Sequence, residues 1–194
     1  MRLTTATYVT LLRMLLVPFV AIGILYHHYG TTLLIFLVSG ITDLLDGLIA
    51  RKWQQKTKLG ALLDPMADKL LLSTSFLLLT LPSVRLAVPI PIWLAVMVFG
   101  RDIIIVVSAV AIALTTGFTT FTPSIFGKAS TALQIVCVLA VLIVNYLQLP
   151  ASWINWLFYL TFGLTLFSGL HYIYFFTRRW NVEAEESHKK VEMR

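Results

Sequence analysis

The chain has 194 residues, 58% of them hydrophobic and 12% charged, with a mean hydropathy of +0.86. Soluble domains carry about 25% charged residues, so this composition argues against a soluble globular protein, and its apolar content argues equally against disorder. The formal charge of +6 comes from 15 Lys/Arg and 9 Asp/Glu; on a chain too apolar for a nucleic-acid binder, such an excess marks the cytoplasmic face of a membrane protein.

A bilayer core about 30 Å thick requires roughly 20 apolar residues per helix. Six stretches approach or exceed that length: 14–29, 31–50, 61–81, 90–114, 131–149 and 151–177. The first lacks a small-residue cleavage site and feeds directly into the second, so it reads as a span rather than a signal peptide. Gly30 is expected to divide the first two spans. Pro82, Pro89 and Pro91 separate the third from the fourth, and Pro150 the fifth from the sixth. Cys137 is the single cysteine and lies in an apolar run, which excludes a disulfide framework. No internal repeat or long linker is visible. The expected fold is an all-α integral membrane protein with six transmembrane helices. It forms one domain over residues 1–177, followed by a charged, partly frayed tail over 178–194.

The basic residues set the orientation. Arg2 and Arg13 precede or begin the first span; Arg51, Lys52, Lys56, Lys58 and Lys69 surround the second connection; Lys128 ends the fourth. Arg178, Arg179, Lys189, Lys190 and Arg194 lie in the tail. These 13 of the 15 basic residues fall on one side, with Arg85 on the other and Arg101 inside a span. Both termini are therefore expected in the cytoplasm.

The carboxylates are sorted as sharply. All four Glu lie in the tail, and four of the five Asp fall around the second connection: Asp43, Asp46, Asp64 and Asp68. Residues three or four apart share a helix face, so Asp43 pairs with Asp46 and Asp64 with Asp68. A short linker over 51–60 makes the two spans antiparallel neighbours, and the pairs converge at one depth. Four carboxylates in a low-dielectric site repel unless cations neutralise them. Oxygen-only donors suit Mg²⁺ or Mn²⁺, not zinc. Gly47 and Ala50 leave room on the helix, Arg51 offers a planar fork to a diphosphate, and Gly60 sits where the backbone must bend before the third span.

Written out, Asp43, two residues, Asp46, Gly47, two residues, Ala50, Arg51, eight residues, Gly60, three residues, Asp64, three residues, Asp68 resembles the signature of the CDP-alcohol phosphotransferases at all eight fixed positions. The resemblance extends over most of the chain. It implies that CDP-diacylglycerol gives its phosphatidyl group to an alcohol and releases CMP. It further implies that Asp43, Asp46, Asp64 and Asp68 hold two metal ions. Asp68 would be the base that accepts the alcohol's proton. Gly47, Ala50, Gly60 and Arg51 would bind the cytidine diphosphate. A homodimer in the bacterial inner membrane, with its active site facing the cytoplasm, is implied as well.

The acceptor is less sharply marked. Arg101 with Asp102, and Lys128 after Gly127, are candidates for an acceptor phosphate; a structural ion pair and a topology anchor are the competing readings. The stretches around them resemble two branches of the family. One uses glycerol 3-phosphate and makes phosphatidylglycerophosphate. The other, the CMP-forming cardiolipin synthases, uses phosphatidylglycerol. Asp102 and Ser130 stand where the first branch usually has Glu and a second Lys. Glycerol 3-phosphate is placed first for a compact chain of bacterial type, with phosphatidylglycerol as the alternative.

His27 and His28 read as interfacial, His171 as a packed, hydrogen-bonded histidine, and Gln134 and Asn145 as interhelical hydrogen-bonders. Trp93, Trp153, Trp156 and Trp180 read as an aromatic belt. An intramembrane prenyltransferase would require a second Asp-rich motif. An ion or metal transporter would place acids near the midplane and show duplication. Neither pattern is present.

Overall fold

Long apolar runs satisfy their own peptide groups by forming helices, and every extended apolar stretch of this chain does so. The computed structural model describes the backbone over residues 5–53, 58–84, 86–116 and 125–192, and side chains at 10–42, 66–84, 86–108, 125–174 and 177. Among the described residues there are six α-helices: α1 (Thr5–Leu25), α2 (Tyr29–Trp53), α3 (Lys58–Thr80), α4 (Ile92–Thr116), α5 (Ile125–Leu147) and α6 (Ile154–Glu192). Their number and order agree with the sequence reading. Arg85, the expected exception to the charge asymmetry, lies outside the described residues.

The boundaries depart from expectation where local backbone chemistry decides them. Gly30 does not divide the first two spans; it lies in the first turn of α2. The break falls at His27, which adopts φ 61°. The N–H of His28 donates to Gly23 O at 2.8 Å, and that of His27 to Ile24 O at 3.2 Å. This left-handed cap satisfies carbonyls that the end of α1 leaves open. The His27 side chain contributes too, with Nδ1 2.7 Å from the Tyr29 hydroxyl. Gly30 serves packing instead. A Cβ there would lie 2.6 Å from Cε2 of Tyr146, so the start of α2 needs a bare backbone against α5. Gln148 ends α5 in the same way as His27 ends α1, with φ 53° and Leu149 N–H donating to Val144 O at 3.3 Å. The prolines behave as expected. Pro82 opens a single 3₁₀ turn, Pro82–Val84, and Ile90 N–H returns to Leu79 O at 2.9 Å.

Gly60 is also corrected: it lies inside the first turn of α3, and Arg51 inside α2, so both helices run further toward each other than expected. Residues 54–57, between the two helices, lie outside the described residues. Likewise α6 continues as helix to Glu192 and does not end at residue 177.

The chain forms two compact units, Met1–Ile92 with Ile135–Asn155, and Trp93–Gln134 with Trp156–Arg194. In the first, α1 packs against both α2 and α3. Its inward face carries Thr10, Arg13, Val20 and Ile24, while Leu11, Leu12, Leu15, Phe19 and Ile22 face outward. Spacings of three, four and seven select one face of a helix. In the second unit, α6 buries Phe158, Thr161, Thr165 and Ser168 and exposes Trp156, Tyr159, Leu160, Phe167 and Leu170. On α1 and α6, polar side chains thus share the inward face with apolar ones, while large apolar side chains face outward. Two helical segments are long and apolar enough to cross a membrane among the described residues: Ile125–Leu147 and Ile154–Tyr174.

Candidate active site

The Asp motif maps onto two helices of the first unit. Asp43 and Asp46 lie on α2, Asp64 and Asp68 on α3. The side chains of Asp43, Asp46, Gly47, Ala50, Arg51, Gly60 and Asp64 lie outside the described residues. Asp68 is described. Its side chain is 52% exposed and forms an ion pair with Nη1 of Arg13, whose own side chain is 3% exposed. This pair joins α3 to α1 across 55 residues of sequence.

Arg13 is the residue whose setting the sequence reading missed. By sequence it counts with the cytoplasmic surface charges, but it lies about two turns inside α1 and is buried. The signal is present in the chain: a lone ionisable residue between Leu12 and Met14 interrupts an apolar run, and such residues usually face a partner.

The second unit holds the acceptor candidates. Arg101 and Asp102 on α4 are both buried. Nη1 of Arg101 donates to Asp102 Oδ1 at 3.0 Å and Nη2 to Ser168 Oγ on α6 at 3.1 Å. Nε of Arg101 is buried with no hydrogen-bond partner among the described residues. The aliphatic stem of Arg101 packs beside Gly169, where an added Cβ would lie 3.6 Å from Arg101 Cγ. The structural ion pair is thus present, and one donor remains beyond it. Lys128 is exposed in the first turn of α5.

A buried polar cluster joins α5 to α6. Ser130 Oγ and Thr165 Oγ1 are 3.0 Å apart, and Gln134 Nε2 reaches both at 3.4 Å. The expected interhelical role of Gln134 is met. Asn145 instead clamps a loop: Nδ2 donates to Val88 O at 3.0 Å, and Oδ1 accepts from Val88 N–H at 3.2 Å. His171 is packed, its ring centroid 5.1 Å from that of Phe126, but Nδ1 has no hydrogen-bond partner among the described residues. Trp93 stacks on Tyr159 at 5.6 Å near the start of α4, as a belt residue can; the Trp180 side chain lies outside the described residues.

Comparison with known proteins gives these residues their context. Residues 3–167 match the model of the CDP-alcohol phosphatidyltransferase family. The chain belongs to this family of membrane-bound enzymes. It is 32% identical over 181 residues to a CDP-diacylglycerol--glycerol-3-phosphate 3-phosphatidyltransferase of Salmonella choleraesuis, covering 89% of this chain and 94% of that one. A protein of the same name from Haemophilus influenzae is 36% identical over 108 residues, covering 54% of this chain and 57% of that one. The CMP-forming cardiolipin synthase of Homo sapiens is 30% identical over 189 residues, covering 87% and 61%.

The family is metal-dependent. Among the described residues no group of three or more His, Cys, Asp or Glu gathers to hold an ion. Three of the four expected ligands have side chains outside that set. The one described candidate ligand, Asp68, is a carboxylate, the donor type a hard cation takes, and half of its side chain stays accessible.

Proposed function

We propose that this protein is a divalent-metal-dependent phosphatidyltransferase of phospholipid biosynthesis. It takes CDP-diacylglycerol as donor and releases CMP. The observation that carries the reading is the eight-position motif on α2 and α3, in a chain that belongs to this family. Asp43, Asp46, Asp64 and Asp68 would hold Mg²⁺ or Mn²⁺ (two ions in the proposed site). Bound there, the metal would neutralise diphosphate oxygens and ease departure of CMP. Asp68 takes the proton from the attacking hydroxyl. Gly47, Ala50 and Gly60 give the cytidine diphosphate close backbone approach, and Arg51 clamps its phosphates. Phosphoryl transfer gains mainly from such positioning and charge stabilisation.

All six helices are proposed to span the membrane with both termini cytoplasmic. Support comes from the outward apolar faces, the inward polar ones and the one-sided basic residues. The donor's acyl chains then remain in lipid while its headgroup meets the Asp motif from the cytoplasm.

For the acceptor we favour glycerol 3-phosphate, with the buried donor of Arg101 and the exposed ammonium of Lys128 as its phosphate ligands. Phosphatidylglycerol is the second reading. It is favoured by Asp102, and by Ser130, which is buried and hydrogen-bonded and supplies no second cation at its position. Purified protein in detergent, given CDP-diacylglycerol, Mg²⁺ and each alcohol separately, decides the matter by CMP release. Release with glycerol 3-phosphate supports the first reading. Release with phosphatidylglycerol alone moves the protein to the cardiolipin branch, and no release with any alcohol rejects the enzyme.

A further inference from the structure

Arg13 is a buried charge to which the proposed chemistry gives no role. Taking a guanidinium out of water carries a desolvation penalty, and an ion pair with a buried member is commonly no more stable than apolar residues of the same volume. Leu or Met on the inward face of α1, beside Val20 and Ile24, would satisfy packing alone. The partner explains the choice. Arg13 is 3% exposed and holds Asp68, the last fixed acid of the motif, from a helix that contributes nothing to that motif. A guanidinium stays charged at any working pH and neither gives nor takes a proton. It can therefore fix a carboxylate without competing in the proton transfer that the carboxylate performs.

We propose that Arg13 is the positioning residue for Asp68, holding its carboxylate in the rotamer that receives the alcohol's proton. The inference rests on the transferase reading. In the step concerned, the alcohol oxygen bonds to the phosphatidyl phosphorus and the bond from that phosphorus to the CMP oxygen breaks. CMP leaves with the electron pair, and the hydroxyl proton passes to Asp68. Arg13 touches none of the reacting atoms. It acts on the geometry of the acceptor oxygen, where a displacement of about 1 Å costs on the order of 100-fold in rate.

The test uses the full chain in detergent with CDP-diacylglycerol, Mg²⁺ and whichever alcohol the wild type accepts. Arg13→Gln should lower kcat by roughly 100-fold while KM for CDP-diacylglycerol changes less than about threefold. Arg13→Lys, which restores charge without the fork, should recover about a tenth of wild-type kcat or more. A second readout needs neither metal nor substrate. Thermal unfolding of Arg13→Gln, Asp68→Asn and the double variant in metal-free detergent should give non-additive shifts, because removing either partner already abolishes the pair. Additive shifts overturn the proposal, as does an Arg13→Gln enzyme within about threefold of wild-type kcat. A raised KM at unchanged kcat overturns it too. If wild-type protein releases no CMP, the transferase reading falls and this inference with it. If the wild type is active and Arg13→Gln equals it, only the inference falls.

Discussion

Arg101 on α4 donates through Nη2 to Ser168 Oγ on α6 at 3.1 Å, while Nη1 engages Asp102 at 3.0 Å. One buried cation thus ties two helices of the second unit and still keeps Nε without a partner among the described residues. Breaking a buried pair from one side leaves the other charge uncompensated, at about 3–5 kcal/mol. Asp102→Ala should therefore lower the thermal midpoint far more than Ser168→Ala, for which about 1 kcal/mol is expected. Unfolding curves in detergent measure both. In the enzyme, Arg101→Gln should raise KM for the acceptor more than KM for CDP-diacylglycerol. Equal changes in the two KM values would argue for a structural role alone.

Asn145 holds the Val88 peptide by both its N–H and its carbonyl, and also bonds Val141 O at 2.8 Å. Asn145→Ala leaves two peptide groups of the proline-rich connection unsatisfied, each costing about 1–3 kcal/mol where buried. We expect a clear loss of stability, seen as a lower midpoint and faster proteolysis between Leu81 and Ile92.

Gln148 occupies the left-handed region at φ 53°. Glycine adopts that conformation freely, whereas a β-branched residue resists it by roughly 1–2 kcal/mol. Gln148→Gly should thus be close to neutral, since the bond from Gln148 Nε2 to Asn145 O at 2.8 Å is lost in exchange. Gln148→Val should destabilise. The order of the two midpoints is the measurement, and the reverse order would contradict the cap.

Chelation should stop CMP release, and Mg²⁺ or Mn²⁺ should restore it. Asp68→Asn should abolish turnover by at least about 100-fold, the lower range for loss of a general base, while far-ultraviolet circular dichroism retains the helical signal. An active Asp68→Asn enzyme would remove Asp68 from the chemistry.

Cysteine labelling separates the sides of the membrane. With Cys137 buried, single cysteines placed at residue 2 or residue 190 should both react from the cytoplasmic side of inverted vesicles. Reaction of either one from the opposite side would reject the proposed orientation.

Much of this protein was legible in the chain itself. Helix number and order follow from the length of its apolar runs, because an uninterrupted apolar stretch satisfies its backbone only internally. The family follows from residue identity at fixed intervals, which a helix turns into shared faces. Boundaries were less legible. Gly30 looked like a break, yet His27 made it. A left-handed cap depends on which residue can accept positive φ with its neighbours' carbonyls in reach, and His can where glycine is usual. Gly30 itself was explained only by Tyr146, more than a hundred residues away.

The sequence by itself determined the class of fold, the family and the acids of the motif, because periodicity and spacing are local properties. The tertiary structure alone decided the partners of the charges. In the chain Arg13 stands out only as a charge within an apolar run; that its partner is Asp68, 55 residues away, is a property of the fold. Arg101 likewise acquired Ser168 from 67 residues away. Whether a charge marks a surface or serves a site is set by what faces it in the folded chain, and non-local packing supplies that neighbour.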